Sequence, residues 1–292
     1  MIRVIMLGRT GNNLFQYAFG RVLAERHGVP LVMDGAWFNK AGWRSVSCLE
    51  RLPIRAELRR DHTLAARLLL KTTGKHFHDL GNLPQVNERP TDHSYDASHL
   101  NAPPDCLVRG YFQSSLYFRG MEEQLRRELA MDDLPWLPAT RDLARRMEEG
   151  RSVAVHVRRT DYVGNPDVAV CGEDYFKRAI RLLRERHEGL EFHVFSDDPK
   201  WCSEHLAEDG VAIRALPEAE GDALHDLFLM SRASHHIICN STYSWWGAWL
   251  AKHPSQQVIM PDRWYVSGIV APIAEKQAEG WEMLSTNART QQ

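Results

Sequence analysis

The chain has 292 residues, long enough for two domains, or one large domain, with a substantial buried core. Hydrophobic residues make up 43% of the chain and charged residues 25%, which are ordinary proportions for a soluble globular protein. The formal net charge of -2 gives no overall basic field, so we expect no nucleic-acid partner.

Cysteine usage and apolar runs predict the compartment. The five cysteines are scattered and lack any C-x-x-C pair: Cys48, Cys106, Cys171, Cys202 and Cys239. This pattern predicts reduced thiols and argues against a disulfide framework or a zinc site. The opening "MIRVIMLGRTG" has too short an apolar run for a signal peptide, and no stretch approaches the length of a membrane span. We therefore expect a cytoplasmic protein, at most peripheral to the inner face of the membrane.

The amino-terminal segment predicts a βαβ unit. An apolar run from Ile2 to Leu7 predicts a buried strand, and the turn "GRTGN" follows it. Apolar residues at helical spacing predict a helix from Asn12 to His27, and Val29 to Asp34 predicts a second strand. A strand, a helix and a strand in this order favour a parallel sheet covered by helices.

The next hundred residues are less regular. "RRDHTLAARLLLK" (Arg59 to Lys71) predicts an amphipathic helix whose basic face is either solvated or contacts a membrane surface or an anionic acceptor lipid. "NLPQVNERPTDHSYD" reads as irregular, "CLVRGYFQS" as a strand, and Tyr117 to Ala130 as a helix. The proline-rich segment Asp132 to Thr140 predicts a linker. We therefore predict domains over residues 1–140 and 141–292, with a carboxyl-terminal tail that can pack back on the first domain.

Beyond the linker, strands and helices alternate regularly. The predicted strands are "SVAVHV", "EFHVFS", "VAIRAL", "HHIICN" and "QQVIMP". The predicted helices are Asp174 to His187, Pro199 to Ala207, Asp222 to Ser231 and Tyr243 to Lys252. This is a second doubly wound α/β unit, and two such units predict a ligand-binding cleft between domains.

Polar and charged residues lie at or just beyond the carboxyl ends of three of these predicted strands. They are His156, Arg158, Arg159 and Asp161 at the first, Ser196, Asp197 and Asp198 at the second, and Asn240, Ser241, Thr242 and Ser244 at the fourth. Ligands of open parallel sheets gather at the carboxyl ends of strands. Guanidinium groups and a helix start both favour phosphate oxygens, and a carboxylate accepts hydrogen bonds from ribose or guanine. Together the residues predict a nucleoside-diphosphate site.

Each of these signals has a structural alternative. The adjacent arginines can simply form an ion pair with Asp161, and "SDDP" can be a helix N-cap followed by proline. "NSTYSWWGAWL" can be a capped core helix with tryptophans as packing, and His156 can be a satisfied core histidine. Their convergence on one sheet edge favours the functional interpretation.

The amino-terminal turn "GRTGNNLFQ" matches neither the G-x-G-x-x-G dinucleotide motif nor the P-loop, which needs a lysine. This disfavours an NAD-dependent oxidoreductase or epimerase, which the βαβ opening alone would suggest. Asparagine amides after such a turn can still donate hydrogen bonds to a sugar or a phosphate.

Several blocks resemble a known enzyme family. "HVRRTDY" resembles the H-x-R-R-x-D motif shared by α-1,2-, α-1,6- and protein O-fucosyltransferases. "GNNLFQYAFG" resembles the amino-terminal G-N-Q-L-F-Q-Y-A block of the α-1,2-fucosyltransferases of glycosyltransferase family 11, although Asn13 replaces the glutamine. "NSTYSWWGAWL", "VFSDDPKW" and "GYFQS" are similar to further blocks of that family. The matches run in order from Gly11 to about Leu250, so the resemblance covers most of the chain.

The resemblance implies a GT-B fold, with an acceptor-side domain over residues 1–140 and a GDP-fucose-binding domain over 141–292. It implies inverting transfer of L-fucose from GDP-β-L-fucose to the 2-hydroxyl of a terminal galactose, in a glycan of bacterial surface polysaccharide or O-antigen type. GDP-fucose and a galactose-terminated oligosaccharide are the expected partners. No cofactor and no metal are expected, and the sequence contains no Asp-x-Asp pair. A fucosyltransferase of another linkage and a nucleotide-sugar-binding protein without turnover remain as alternatives.

The resemblance also implies roles for single residues. Arg158 would hold the diphosphate with Arg159 in support, and His156 would lie near the nucleoside. Asp197 or Asp198 would lie near guanine or ribose, and Ser241 and Thr242 would bind the phosphate next to fucose. Asp161 is either the general base or an orienting partner of an arginine. The complete predicted site comprises catalytic Arg158 and Asp161; donor-binding His156, Arg158, Arg159, Asp197, Asp198, Asn240, Ser241, Thr242 and Ser244; and acceptor-side Gly11, Asn12, Asn13 and Gln16.

Overall fold

A computed structural model describes residues 1–35, 48–59, 82–207, 210–215 and 222–287. The chain divides into two compact units, Met1–Asp132 and Asp133–Gln292. Each unit is built around a parallel sheet with helices, which confirms the predicted α/β class with two Rossmann-like domains.

The first unit contains a five-stranded sheet in the order β3-β2-β1-β5-β4, with every pairing parallel. The strands are β1 Ile2–Ile5, β2 Leu31–Asp34, β3 Glu57–Arg59, β4 Gln85–Asn87 and β5 Cys106–Arg109. The helices described are α1 Thr10–His27 and α2 Glu122–Glu128, with 3-10 turns at Cys48–Arg51, Ala97–Asn101 and Ser115–Phe118. Strand order reverses between β1 and β5, which makes the carboxyl ends of these two strands the switch point of this sheet.

The second unit contains a six-stranded parallel sheet in the order β11-β10-β9-β6-β7-β8. The strands are β6 Ser152–Val157, β7 Glu191–Ser196, β8 Val211–Ala215, β9 His235–Ile237, β10 Val258–Pro261 and β11 Glu282–Leu284. The helices described are α3 Pro138–Glu149, α4 Glu173–Arg186, α5 Pro199–His205, α6 Ala223–Met230, α7 Thr242–Leu250 and α8 Ile273–Lys276. Here the order reverses between β6 and β9.

Helix α1 lies very close to its sheet because glycine stands at the contact. A Cβ atom on Gly20 would lie 2.6 Å from Val4 Cγ2 and 2.9 Å from Leu31 Cδ1. The helix ends at Gly28, whose φ of 62° is the left-handed value that favours glycine. The start of α1 is thereby fixed above the carboxyl end of β1.

The core of the second unit explains why its central strand β6 carries no exposed side chain. All six residues of β6 are buried, as expected for a parallel strand covered on both faces. Helix α4 contributes Tyr175, Phe176, Ala179, Ile180 and Leu183 to the same core cluster. A rigid centre of this kind fixes the positions of the loops that follow β6 and β7.

The boundaries depart from the sequence predictions mainly at the sheet edges. The strand predicted through Ser114 ends at Arg109, and α3 begins at Pro138 inside the predicted linker, because proline is tolerated in the first helical turn. The helix predicted for Tyr117 to Ala130 is a 3-10 turn followed by α2. The basic helix was predicted to begin at Arg59, but that residue ends strand β3, and the rest of the prediction lies outside the described residues.

Across the described ranges, no helix has the length and apolarity needed to cross a membrane.

Candidate functional site

Three loops converge at the switch point of the second sheet. Strand β6 pairs with β9 on one side and with β7 on the other, so the segments that follow these three strands are neighbours. They carry Arg158 and Arg159 after β6, Asp197 and Asp198 after β7, and the start of helix α7 after β9. The structure therefore brings together the predicted donor-binding residues, as the strand-end argument requires.

Arg158 is held by two carboxylates. Its Nε lies 2.7 Å from Asp161 Oδ1, and its Nη1 lies 2.9 Å from Asp197 Oδ2. The Asp161 side chain is 44% exposed, whereas that of Asp197 is 9% exposed. The ion pair with Asp161 that the structural alternative predicted is thus present. No bond is formed by Nη2 of Arg158 within the part of the chain that the structure describes, and this nitrogen can donate to an anionic oxygen.

Asp197 also orders the backbone of the arginine loop. Its Oδ1 accepts a hydrogen bond from the Arg159 backbone N–H at 2.9 Å, and its Oδ2 accepts from the Thr160 backbone N–H at 3.3 Å. The Thr160 hydroxyl donates to the same oxygen. Both oxygens of Asp197 are therefore engaged by the loop, and its placement near guanine or ribose stays a prediction.

Arg159 is fixed by an aromatic ring as well as by a carboxylate. Its guanidinium carbon lies 3.9 Å from the centre of the Trp201 ring, a cation–π contact, and its Nε lies 3.2 Å from Asp198 Oδ2. Asp198 caps α5 by accepting the Trp201 backbone N–H at 3.1 Å, with Pro199 in the first turn. Trp201 was missed by the sequence analysis, although an aromatic residue in "SDDPKW" one turn into a helix that starts at the site could have indicated it.

The start of α7 presents a capped helix end to the same switch point. Ser241 is the N-cap, and its Oγ accepts the Tyr243 backbone N–H at 3.3 Å. Thr242 is the first residue of the helix. The first-turn amides and the helix dipole favour an anion here. The Ser244 hydroxyl is buried and lies 3.0 Å from the Ser241 carbonyl oxygen, to which it donates.

Asn240 ties two loops together. It is 3% exposed, and its Nδ2 donates to the carbonyl oxygens of Val168 and Trp264, each at 2.9 Å. The Asn240 backbone carbonyl oxygen accepts a hydrogen bond from the Tyr162 hydroxyl at 3.2 Å. These bonds fasten the loop after β6 and the loop after β10 to the segment that leads into α7.

His156 lies beneath this surface. It is 6% exposed, and its Nδ1 lies 3.4 Å from Cys239 Sγ. Burial lowers the pKa of His156 to about 4, so the imidazole is neutral at pH 7. Burial also raises the pKa of the Cys239 thiol to about 11, which keeps that sulfur protonated. A neutral histidine can accept or donate a hydrogen bond to a base but adds no charge to a phosphate site.

The predicted acceptor-side residues gather at the switch point of the first sheet. Asn12 is half-buried, and its Oδ1 accepts from Gln113 Nε2 at 3.0 Å. The buried Asn13 Nδ2 donates to the Leu7 carbonyl oxygen at 3.0 Å. Gln16 Nε2 donates to the Gly110 carbonyl oxygen at 2.8 Å, and Gln16 Oε1 accepts the Leu7 N–H at 3.1 Å.

Gly11 is buried in the first turn of α1, next to these amides. The turn after β1 and the "GYFQS" segment after β5 are therefore joined by glutamine and asparagine side chains. In the described ranges no group of three or more histidine, cysteine or acidic side chains could hold a metal ion, and independence from metal stays a prediction.

Comparison with known proteins identifies the family. The model of Glycosyl transferase family 11 matches residues 91–283, more than half of the chain. An alpha-1,2-colitosyltransferase from Escherichia coli is 29% identical over 89% of this chain and 91% of its own length. The O-antigen biosynthesis glycosyltransferase WbnK from Escherichia coli is 28% identical over 88% of this chain and 93% of its own length. Galactoside alpha-(1,2)-fucosyltransferase 1 from Ateles belzebuth is 32% identical over 51% of this chain and 43% of its own length. The chain belongs to glycosyl transferase family 11.

Proposed function

We propose that this family 11 glycosyltransferase transfers L-fucose from GDP-β-L-fucose to the 2-hydroxyl of a terminal galactose, with inversion and without a metal ion. The observation that carries the proposal is the position of Arg158 at the switch point of the second sheet, with one guanidinium nitrogen that forms no bond to the described residues. The names of the relatives support an α-1,2 linkage.

The site supports donor binding through charge. As GDP leaves, negative charge grows on the departing phosphate oxygens. The Arg158 Nη2, the Arg159 guanidinium and the first-turn amides of α7 are preorganised cationic or dipolar groups that favour this charge. Each such donor typically stabilises a transition state by roughly 3 kcal/mol. In the proposal these groups do what a metal ion does in other glycosyltransferases.

The reaction is a single in-line displacement. The acceptor hydroxyl attacks the anomeric carbon from the face opposite GDP, the bond from that carbon to the phosphate oxygen breaks, and the hydroxyl proton leaves to a base or to water. Asp161, exposed and paired with Arg158, is the candidate base from the described loop. Its ion pair equally fits an orienting role, and the pH–rate profile of an Asp161→Asn variant distinguishes the two roles.

A colitosyl donor is the second candidate. The relative that spans 89% of this chain is named for colitose, a sugar that differs from fucose in lacking the 3-hydroxyl. A site built to hydrogen-bond that hydroxyl rejects the deoxy sugar strongly, whereas an apolar site discriminates weakly. The ratio of kcat/KM for GDP-fucose and GDP-colitose therefore separates the two candidates.

The proposal is tested by incubating the protein with either GDP-sugar and a panel of β-galactosides, with and without EDTA. We expect an α-1,2-linked fucosyl product by NMR, unchanged by chelation and lost in Arg158→Ala. A product in another linkage, a strong preference for GDP-colitose, or loss of turnover on chelation with recovery on adding manganese would each contradict part of the proposal. Donor binding without any product would favour a binding protein.

The proposed acceptor is a galactose-terminated repeat of a bacterial surface polysaccharide. The name of WbnK, which refers to O-antigen biosynthesis, supports the polysaccharide part of this proposal. Soluble galactosides therefore serve as probes, and an acceptor that carries its natural lipid carrier is expected to give a lower KM.

A further inference from the structure

A buried carboxylate in the first unit binds two successive backbone amides. Glu88, which directly follows β4, is 8% exposed. Its Oε2 accepts the Tyr111 N–H at 2.7 Å, and its Oε1 accepts the Phe112 N–H at 3.1 Å. Hydrogen bonds to an ionised acceptor are roughly twice as strong as neutral ones. Glu88 thus clamps the segment Gly110–Gln113, which we call the 110–113 turn.

The 110–113 turn is held in a conformation that its sequence does not favour. Phe112 has a φ of 52°, a left-handed value that is unusual for a bulky residue. Its ring is fully buried and stacks on Phe19 with ring centres 4.1 Å apart. At Gly110, a Cβ atom would lie 2.4 Å from Glu88 Cβ. Strained backbone persists only where its surroundings enforce it, and such places cluster at functional sites.

A second buried group supports the clamp. His93 is 5% exposed, and its Nδ1 lies 3.0 Å from Glu88 Oε2. The His93 ring also meets the Tyr111 ring edge-on at 5.4 Å. The carboxylate therefore contacts three partners, two of which belong to the turn.

The turn lies at the switch point of the first sheet. It follows β5 directly, and Gln113 Nε2 donates to Asn12 Oδ1 at 3.0 Å. Gln16 Nε2 donates to the Gly110 carbonyl oxygen at 2.8 Å. The turn and the start of α1 therefore share one hydrogen-bonded surface at the edge where ligands of such sheets bind.

We propose that Glu88 is a positioning residue, which holds the 110–113 turn in the shape that binds the neutral galactoside acceptor. The inference rests on the proposed function, since it takes the acceptor to be a galactoside. The Tyr111 ring and the Asn12 side chain, which are partly exposed, suit the hydroxyls and apolar faces of an uncharged sugar, while the buried Phe112 and Gln113 shape the turn beneath them. The paired arginines that suit an anionic donor lie in the second unit.

Loss of the carboxylate charge is expected to release the turn. In Glu88→Gln, the amide oxygen can keep one of the two backbone N–H groups of Tyr111 and Phe112, but the new NH2 group then faces the other N–H, donor against donor. The strained Phe112 then relaxes toward negative φ and moves the turn. A displacement of about 1 Å in a positioning element can cost roughly a hundredfold in rate.

The matched control is Glu128→Gln. Glu128 is also a buried carboxylate of the first unit, 5% exposed, but it accepts from the Tyr17 hydroxyl at 2.6 Å and pairs with Arg21 Nε at 3.2 Å. It joins α1 to α2 and has no contact with the 110–113 turn among those that the structure describes. Any general effect of losing a buried charge in this unit appears in both variants.

The experiment measures three quantities in each variant. They are KM for the soluble β-galactoside that the wild type turns over best, the Kd of GDP by calorimetry, and amide exchange at Tyr111 and Phe112. For Glu88→Gln we expect about a tenfold or greater rise in KM, an unchanged Kd, and loss of protection at both amides. For Glu128→Gln we expect none of the three to change by more than about twofold, because none of the described contacts of Glu128 reaches the 110–113 turn.

Two results would overturn the proposal. One is a Glu88→Gln variant whose amides lose protection while KM stays at the wild-type value. The other is a rise in KM of equal size in Glu128→Gln.

Should Glu88→Gln fail to fold, Gly110→Ala replaces it, since its Cβ pushes the turn away from Glu88, and the same rise is expected. If the wild type transfers nothing, lactose binding by calorimetry is measured instead; no binding of lactose to the wild type refutes the galactoside surface itself.

Discussion

Arg158 and Arg159 are neighbours in sequence but differ in what holds them. Arg158 forms ion pairs through Nε with Asp161 and through Nη1 with Asp197. Arg159 is anchored through Nε and through the face of Trp201. The planar fork of arginine allows one side chain to be fixed by carboxylates while a further N–H donates to a ligand. A lysine ammonium has no such fixed directions.

The Arg158→Lys variant therefore separates charge from geometry. It keeps the positive charge but cannot bind Asp161, Asp197 and a phosphate oxygen in the same arrangement. We expect kcat to fall by about a hundredfold to a thousandfold, nearly as far as in Arg158→Ala. Steady-state rates with saturating galactoside measure this. A lysine variant that retains most of the wild-type turnover would rule out the fork as the important feature.

The two carboxylates beside Arg158 are expected to respond differently to neutralisation. Asp197→Asn removes a nearly buried charge that also orders the Arg159 and Thr160 amides, so the loop should loosen and kcat/KM should fall by about a hundredfold. Asp161→Asn breaks an exposed pair, which costs little, so the expected loss is within about fivefold. The pH–rate profile of Asp161→Asn shows whether Asp161 only orients Arg158 or also acts as the general base. If Asp161 is instead the general base, Asp161→Asn would abolish the acidic limb of that profile and cost far more than fivefold.

At the scale of elements, sequence patterns predicted the interior better than the edges. Strands β6 and β7 are themselves long, mainly apolar runs, and their observed bounds match the predicted ones. Strands β3, β4 and β11 are short and contain no fully buried residue, so they leave no periodic signal. The strand-end rule predicted that Arg158 and Asp197 meet. It could not predict that Asp197 would take the loop amides, because that depends on contacts across almost forty residues of sequence.

Glu88 and Trp201 show what sequence alone could not supply for the site. Glu88 lies in "NERPTDHSYD", a polar stretch that reads as an exposed loop, yet its side chain is only 2% exposed. Its burial follows from the return of the chain through β5, which no local pattern encodes. Trp201 stands in a helix whose start was predicted, but its contact with Arg159 depends on the pairing of β6 with β7.

Helix α1 offers a test of element packing at Gly20. Alanine is the better helix former by about 1 kcal/mol, so Gly20→Ala would stabilise an isolated helix. Here the added methyl would meet Val4 at 2.6 Å and Leu31 at 2.9 Å. We expect a net loss of about 1–3 kcal/mol in the free energy of unfolding, measured by urea denaturation. Combining it with Val4→Ala removes the shorter of the two contacts, so the double variant should lose less than the sum of the single changes. Additive losses would contradict the steric explanation.

For the molecule as a whole, we expect buried histidines to contribute to the pH dependence of stability. Burial lowers the pKa of His156, His235 and His236 to about 4 each. One of them faces further imidazoles: the His235 ring stacks on His187 with centres 4.5 Å apart and lies 6.2 Å from the His253 ring. Protonating such a group in the folded state would place a charge where water cannot solvate it.

The sign of the effect follows from the lowered pKa values. Between about pH 6.5 and pH 4 the unfolded chain binds protons that the folded chain does not, so stability falls as the solution is acidified through this window. Each group contributes at most about 1.4 kcal/mol per pH unit.

His235→Asn tests one contribution, because its amide oxygen can still accept the Gln257 N–H that now bonds His235 Nδ1 at 3.1 Å. Urea unfolding at pH 7.5, 6 and 5 should show a shallower fall for the variant than for the wild type. Equal slopes in the two proteins would show that His235 does not contribute to the acid sensitivity.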